Sequence, residues 1–147
     1  PQTSGHVTAV ATDAAGNTSE LSNALTIVVD TTAPAAPSMP DLAAEDDTGA
    51  SNTDDQTTKT SNLTISGSAE AGSTVEIFNG GVSLGTLLVD NNGHYSRDFD
   101  FDPGAYLIRV KATDIAGNTS PYSPSLELSI LDTQPEAILL VDTLHFG

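Results

Sequence analysis

Apolar residues recur at every second position in a series of short runs, and no stretch carries the three-to-four spacing of an amphipathic helix. Val7, Ala9 and Ala11 alternate with polar neighbours, as do Leu25, Ile27 and Val29. Leu63 and Ile65, Val75 and Ile77, and Leu126, Leu128 and Ile130 follow the same rule. Val82 and Leu84, then Leu87 and Val89, frame Gly85, where a bulge or short turn is expected. Tyr95, Phe99 and Phe101 share a face that Arg97 interrupts, and Tyr106, Ile108, Val110 and Ala112 form the longest alternation. Asp90-Asn91-Asn92-Gly93 and Asp102-Pro103-Gly104 read as turns. Several short strands between turn signals predict an all-β sandwich.

The pattern also repeats. ATDAAGNTSE at residues 11–20 returns as ATDIAGNTSP at residues 112–121, an offset of 101 residues. At that offset Val7, Ala9 and Ala11 match Ile108, Val110 and Ala112, and Leu25, Ile27 and Val29 match Leu126, Leu128 and Ile130. Each copy reads as strand, Asp-x-Ala-Gly-Asn loop, strand. Repetition at this distance points to copies of a whole domain, and two full copies need about two hundred residues. The chain therefore reads as cut from something longer. Residues 1–30 are expected to be the last two strands of a preceding repeat. Residues 31–40 form a Pro-rich linker, 37–132 a complete repeat, and 133–147 a linker with the start of the next.

Charge narrows the function. The chain carries 20 acidic and 4 basic side chains, for a net charge of −16. Binding to nucleic acid needs clustered Lys and Arg, so that partner is excluded, and so is docking to anionic lipid. No run approaches the roughly 20 apolar residues of a membrane span, so no direct insertion is expected. There is no cysteine. A small secreted domain without disulfides needs another staple, and metal ions are the obvious one. Catalysis is not expected: His6, His94 and His145 have no zinc-site spacing, no Ser sits in a G-x-S-x-G elbow, and the aromatics are too few to wall a cleft.

The densest chemistry lies between Asp41 and Asp55, where Asp41, Glu45, Asp46, Asp47, Asp54 and Asp55 occur with no basic residue among them. Such a loop either stays solvated and mobile or is neutralised by a cation. Calcium takes six to eight oxygens from carboxylates, carbonyls and water. Asp46 and Asp47 precede a Gly turn, with Asp54 or Asp55 placed to close the shell, although the spacing is not that of an EF-hand. Asp114, like Asp13, reads first as an Asx-type turn before Gly and Asn, and second as a metal ligand. Asp30 and Asp132 stand where a last strand meets a linker. One reading holds an ion between Asp30 and the 41–55 loop; the other leaves these residues facing water.

DTTAPAAP, DLAAEDDTGASNTDD, LTISGSAEAGSTVEIF, DNNGHY and ATDIAGNTS, in this order, resemble the bacterial immunoglobulin-like repeats of giant secreted adhesins, the biofilm-associated and type I-secreted repeat proteins. The resemblance implies an extracellular, cell-surface array of calcium-bound sandwiches whose partners are neighbouring repeats in the same chain. Host or biofilm surfaces would be reached through other domains. It makes calcium the expected cofactor, with Asp30, Asp46, Asp47, Asp54, Asp55, Asp114 and Asp132 as candidate ligands. The expected function is a spacer stiffened by calcium. The alternative is a module that recognises glycan or protein, for which an exposed aromatic platform would be the sign.

Overall fold

The computed structural model of the chain describes residues 2–133; from residue 134 onward, the expected opening of a third repeat lies outside the described residues. Among the described residues ten strands form: β1 (Thr3–Val7), β2 (Leu25–Val29), β3 (Asp41–Leu42), β4 (Gln56–Thr57), β5 (Leu63–Ser68), β6 (Thr74–Asn79), β7 (Val82–Leu88), β8 (His94–Phe99), β9 (Gly104–Thr113) and β10 (Leu126–Ile130). One sheet has the order β4-β10-β9-β6-β7 and a second the order β3-β5-β8. Pairing is antiparallel except between β10 and β4.

The alternation decides which side chains go inside. Leu42, Leu63, Ile65 and Tyr95 from the three-stranded sheet meet Val75, Ile77, Ile108, Val110, Ala112, Leu126, Leu128 and Ile130 from the five-stranded sheet in one buried cluster. This is an all-β sandwich. Tyr106, expected inside, is only half-buried: its hydroxyl donates to the Asp102 carbonyl at 2.8 Å, which keeps the ring at the rim beside Phe101. Arg97 sits on the core phase of β8 yet stays exposed, its guanidinium stacked on Phe99 and lying against Gly85. Gly85, with φ of 120°, stands at the register shift between β6 and β7. A side chain there would meet Arg97.

The 101-residue echo is structural. Val110 and Ala112 donate their amides to Ser123 Oγ and Ser120 Oγ at 2.9 Å, while Ala9 and Ala11 donate to Ser22 Oγ and Ser19 Oγ at 2.9 Å. A Thr12–Thr18 bridge matches the Thr113–Thr119 bridge. The copies differ in what lies beside them. β6 pairs with β9 over its second half, which makes β9 ten residues long. Residues 8–12 have no such ladder partner among the described residues, so β1 ends at Val7, short of the strand expected through Ala11.

The linker is docked along the repeat. Pro34, Pro37 and Pro40 are buried while the residues between them are exposed. A spacing of three places them on one face of a polyproline-type strand. Ser38 accepts the Ser68 amide on its Oγ and donates its own amide to the Ser68 carbonyl, both at 2.9 Å, which ties the linker to the end of β5.

Candidate functional site

The acidic residues gather at the two ends of the sandwich. At one end the 45–57 segment folds back on itself: the Gly49 amide donates to the Gln56 carbonyl at 2.8 Å. Asp47 holds this fold from inside, its carboxylate accepting the amides of Asp55 at 3.1 Å and Gln56 at 3.2 Å. Asp54 accepts the Gln56 amide at 3.3 Å. Asp55 adopts φ of 55°, a left-handed conformation that Asp tolerates better than most residues. Burial pushes its carboxyl above the ordinary carboxylate range, and the negative charges of Asp41, Asp47 and Asp54 push in the same direction against one bond from the Leu42 amide.

Asp46 behaves otherwise. Its side chain is 3% exposed, forms an ion pair with Lys59 and accepts the Thr64 amide at 2.8 Å. Burial raises its pKa, but the Lys59 and Thr64 bonds together outweigh burial and hold the carboxyl below its usual value. Asp46, expected among calcium ligands, thus works as an anchor pinning the loop to β5. The sequence reading counted charges only as far as Asp55 and so missed Lys59, four residues on.

At the other end Asp114 makes the Asx turn. Its carboxylate accepts the Asn118 amide and Asn118 Nδ2, each at 2.8 Å, and Gly117 takes φ of 92°. The Asn118 side chain is the main cause that holds the Asp114 carboxyl below its ordinary range. Asn118 Nδ2 also donates to the Asp30 carbonyl at 3.1 Å, a direct bond from the end of the first copy to the corner of the complete repeat. Asp30, Glu70 and Asp114 line one groove with Val28, Ser73 and Ile115. Glu70 lies in the SAEAGS turn, and the sequence reading gave it no role. Its contribution depends on a turn brought beside Asp114 by the β6–β9 pairing, which Thr74 and Thr113 begin.

The geometry corrects one expectation. The Asp55 carbonyl accepts the Ser129 amide, opposite Ala105 at the start of β9, while Asp114 follows the end of β9. At about 3.3 Å per residue, that strand separates the two by roughly 30 Å. An ion beside Asp30 is therefore out of reach of the 41–55 loop of the same repeat. Asp132 follows β10 at the end where that loop lies. Among the described residues, no three Asp, Glu or His side chains converge as a ligand set for a metal.

Two sheets closed on one core, with the Asp30 carbonyl bonded to the corner loop, define an immunoglobulin-like domain. The chain belongs to the bacterial Ig-like domain family, whose model matches residues 33–133. Among solved structures it resembles the PKD domain of an M14-like peptidase from a Thermoplasmatales archaeon, at 16% identity and a TM-score of 0.47, covering 70% of this chain and 100% of that one. It also resembles the fibronectin(III)-like modules of CbhA from Clostridium thermocellum, at 19% identity and a TM-score of 0.49, covering 88% of this chain and 63% of that one. No curated protein matches the chain.

Proposed function

We propose that the chain is a spacer segment of a large extracellular bacterial adhesin, in which residues 2–30 close a preceding repeat and calcium stiffens each junction. One observation carries the reading: the docked junction, with Pro34, Pro37 and Pro40 buried and Asn118 bonded to the Asp30 carbonyl. A linker held in this way transmits orientation from one unit to the next, where an exposed coil would not.

Support for calcium is the chemistry of the donors, carboxylates at both ends of the repeat, and not a converged ligand set among the described residues. Asp30, Glu70 and Asp114 would hold an ion at the junction, and Asp41, Asp47, Asp54 and Asp55, with Asp132 nearby, would hold one at the far end. Bound there, the ion would supply positive charge to carboxylates that otherwise repel; burial first, and the charges of Asp41, Asp47 and Asp54 after it, raise the Asp55 pKa. At millimolar external calcium and an affinity of about 10⁻⁴ M, each site adds about 1.4 kcal/mol to stability. A second reading, the same spacer without calcium, draws support from the Lys59–Asp46 pair, which neutralises part of the loop internally. Small-angle scattering of the whole chain, with and without calcium, tests the junction. Asp30→Ala is expected to broaden the distance distribution in calcium; a profile identical to that of the unaltered chain would count against an ion at this place.

A further inference from the structure

The whole chain has four basic residues, and two of them, Arg109 and Lys111, stand two positions apart on β9. Ile108, Val110 and Ala112 take the inner face of that strand, so both cations project outward. Past the corner loop the chain brings Tyr122 against them: its ring centroid lies 4.4 Å from Arg109 Cζ and 4.4 Å from Lys111 Nζ. Phe78, opposite Arg109 on β6, meets the same ring edge-on at 5.4 Å. Arg109 Nη2 donates to the Gly80 carbonyl at 2.9 Å, while its Nε is buried without an acceptor.

Among the described residues, neither cation forms an ion pair. The one ion pair among the described residues is Lys59–Asp46. Glu76 lies directly opposite Lys111 but turns to accept the Ser83 hydroxyl. Two like charges on neighbouring outward positions repel, and the Tyr122 ring offsets only part of that. In a chain with so large an acidic excess, two adjacent cations that form no ion pair, with the Ser83-bonded Glu76 as their one cross-strand acid, keep donors open to an anion from outside.

We infer that this face of β6 and β9 is a subsite for a carboxylated sugar of an acidic polysaccharide. Arg109 and Lys111 take the carboxylate through charge-assisted hydrogen bonds, and the sugar ring packs on Tyr122, which is 36% exposed. Size favours a sugar over a protein. Four side chains span one or two sugar rings, whereas a stable protein interface needs about 800 Å² from each partner. The net charge opposes an anionic polymer at long range, but screening over about 8 Å at physiological salt leaves the local cations in control. Glu76 and Asp114 are the acids closest to these cations along the strands, and they keep the site weak. This inference is independent of the calcium proposal.

The test is an NMR titration of the ¹⁵N-labelled chain with hexagalacturonate, in EDTA so that calcium bridging contributes nothing. The expected result is saturable shifts at Phe78, Arg109, Lys111 and Tyr122. Lys111→Gln and Tyr122→Ser should each bind roughly tenfold more weakly, the loss of one such contact. Melting curves check that both variants remain folded. Methyl-esterified hexagalacturonate and a peptide of residues 41–55 serve as comparisons. The inference is overturned by no shifts at about ten-millimolar ligand, a high excess on the usual affinity scale. Equal binding of the ester, or tighter binding of the acidic peptide than of the sugar, overturns it as well.

Discussion

Two aspartates only nine positions apart respond to acid in opposite directions. Asp46 has a depressed pKa, so its contribution is present at neutral pH and is lost as pH falls below the ordinary carboxylate range. Asp55 has a raised pKa, so its charged form costs stability at neutral pH, and that cost is relieved as pH falls through the raised value. Asp55→Asn removes the cost and keeps a side chain that accepts positive φ. In EDTA it should raise stability by about 1 kcal/mol or less, measured by urea unfolding; in millimolar calcium the gain should vanish. Tyr95 offers a second test. Its hydroxyl is buried against Gly67 without a partner, and burial pushes its pKa up to about 12. Tyr95→Phe should be neutral or stabilising by up to about 1 kcal/mol, because a buried donor with no acceptor is removed. The Asx turn at Asp114 was legible in the sequence because all its bonds fall within five residues. The anchoring of Asp46 by Lys59 and Thr64 was not, because it depends on contacts 13 and 18 positions away.

Among the elements, the serines after each corner loop provide an internal control. Ser123 Oγ satisfies the buried Val110 amide, while Ser22 Oγ satisfies the exposed Ala9 amide in the first copy. Ser123→Ala should cost about 1–2 kcal/mol and Ser22→Ala almost nothing, since only the first leaves a buried donor unpaired. Equal effects in thermal melts would mean that the two copies are packed alike. Alternation made the long strands readable, because Ile108, Val110 and Ala112 declare their face without help from any partner. The two-residue strand β3 opens what read as an acidic loop and β4 directly follows it; neither has enough residues for a period, and the ladder of β4 is with β10, more than 70 residues on. The docked linker was half-legible. Prolines exclude a central strand, but burial on one side depends on a surface the linker itself does not encode.

In the whole molecule the same pattern exists once with its core closed and once open. Val7, Leu25, Ile27 and Val29 are at least 43% exposed, where Ile108, Leu126, Leu128 and Ile130 are at most 3% exposed. The hydrogen-bond ladder of β1 with β2 mirrors that of β9 with β10, so burial and the flanking pairings of β9 with β6 and β10 with β4 separate them. Amide exchange should therefore be far faster in β1 and β2 than in β9 and β10, as expected where few apolar contacts resist opening. Comparable protection would mean that another surface covers the ribbon in solution. The central proposal is that divalent cations bind the carboxylates at the two ends of the repeat. Thermal melting of the chain in millimolar calcium and in EDTA addresses it most directly. A midpoint several degrees higher in calcium is the predicted result, with one site worth about 1.4 kcal/mol. Superimposable curves would contradict it.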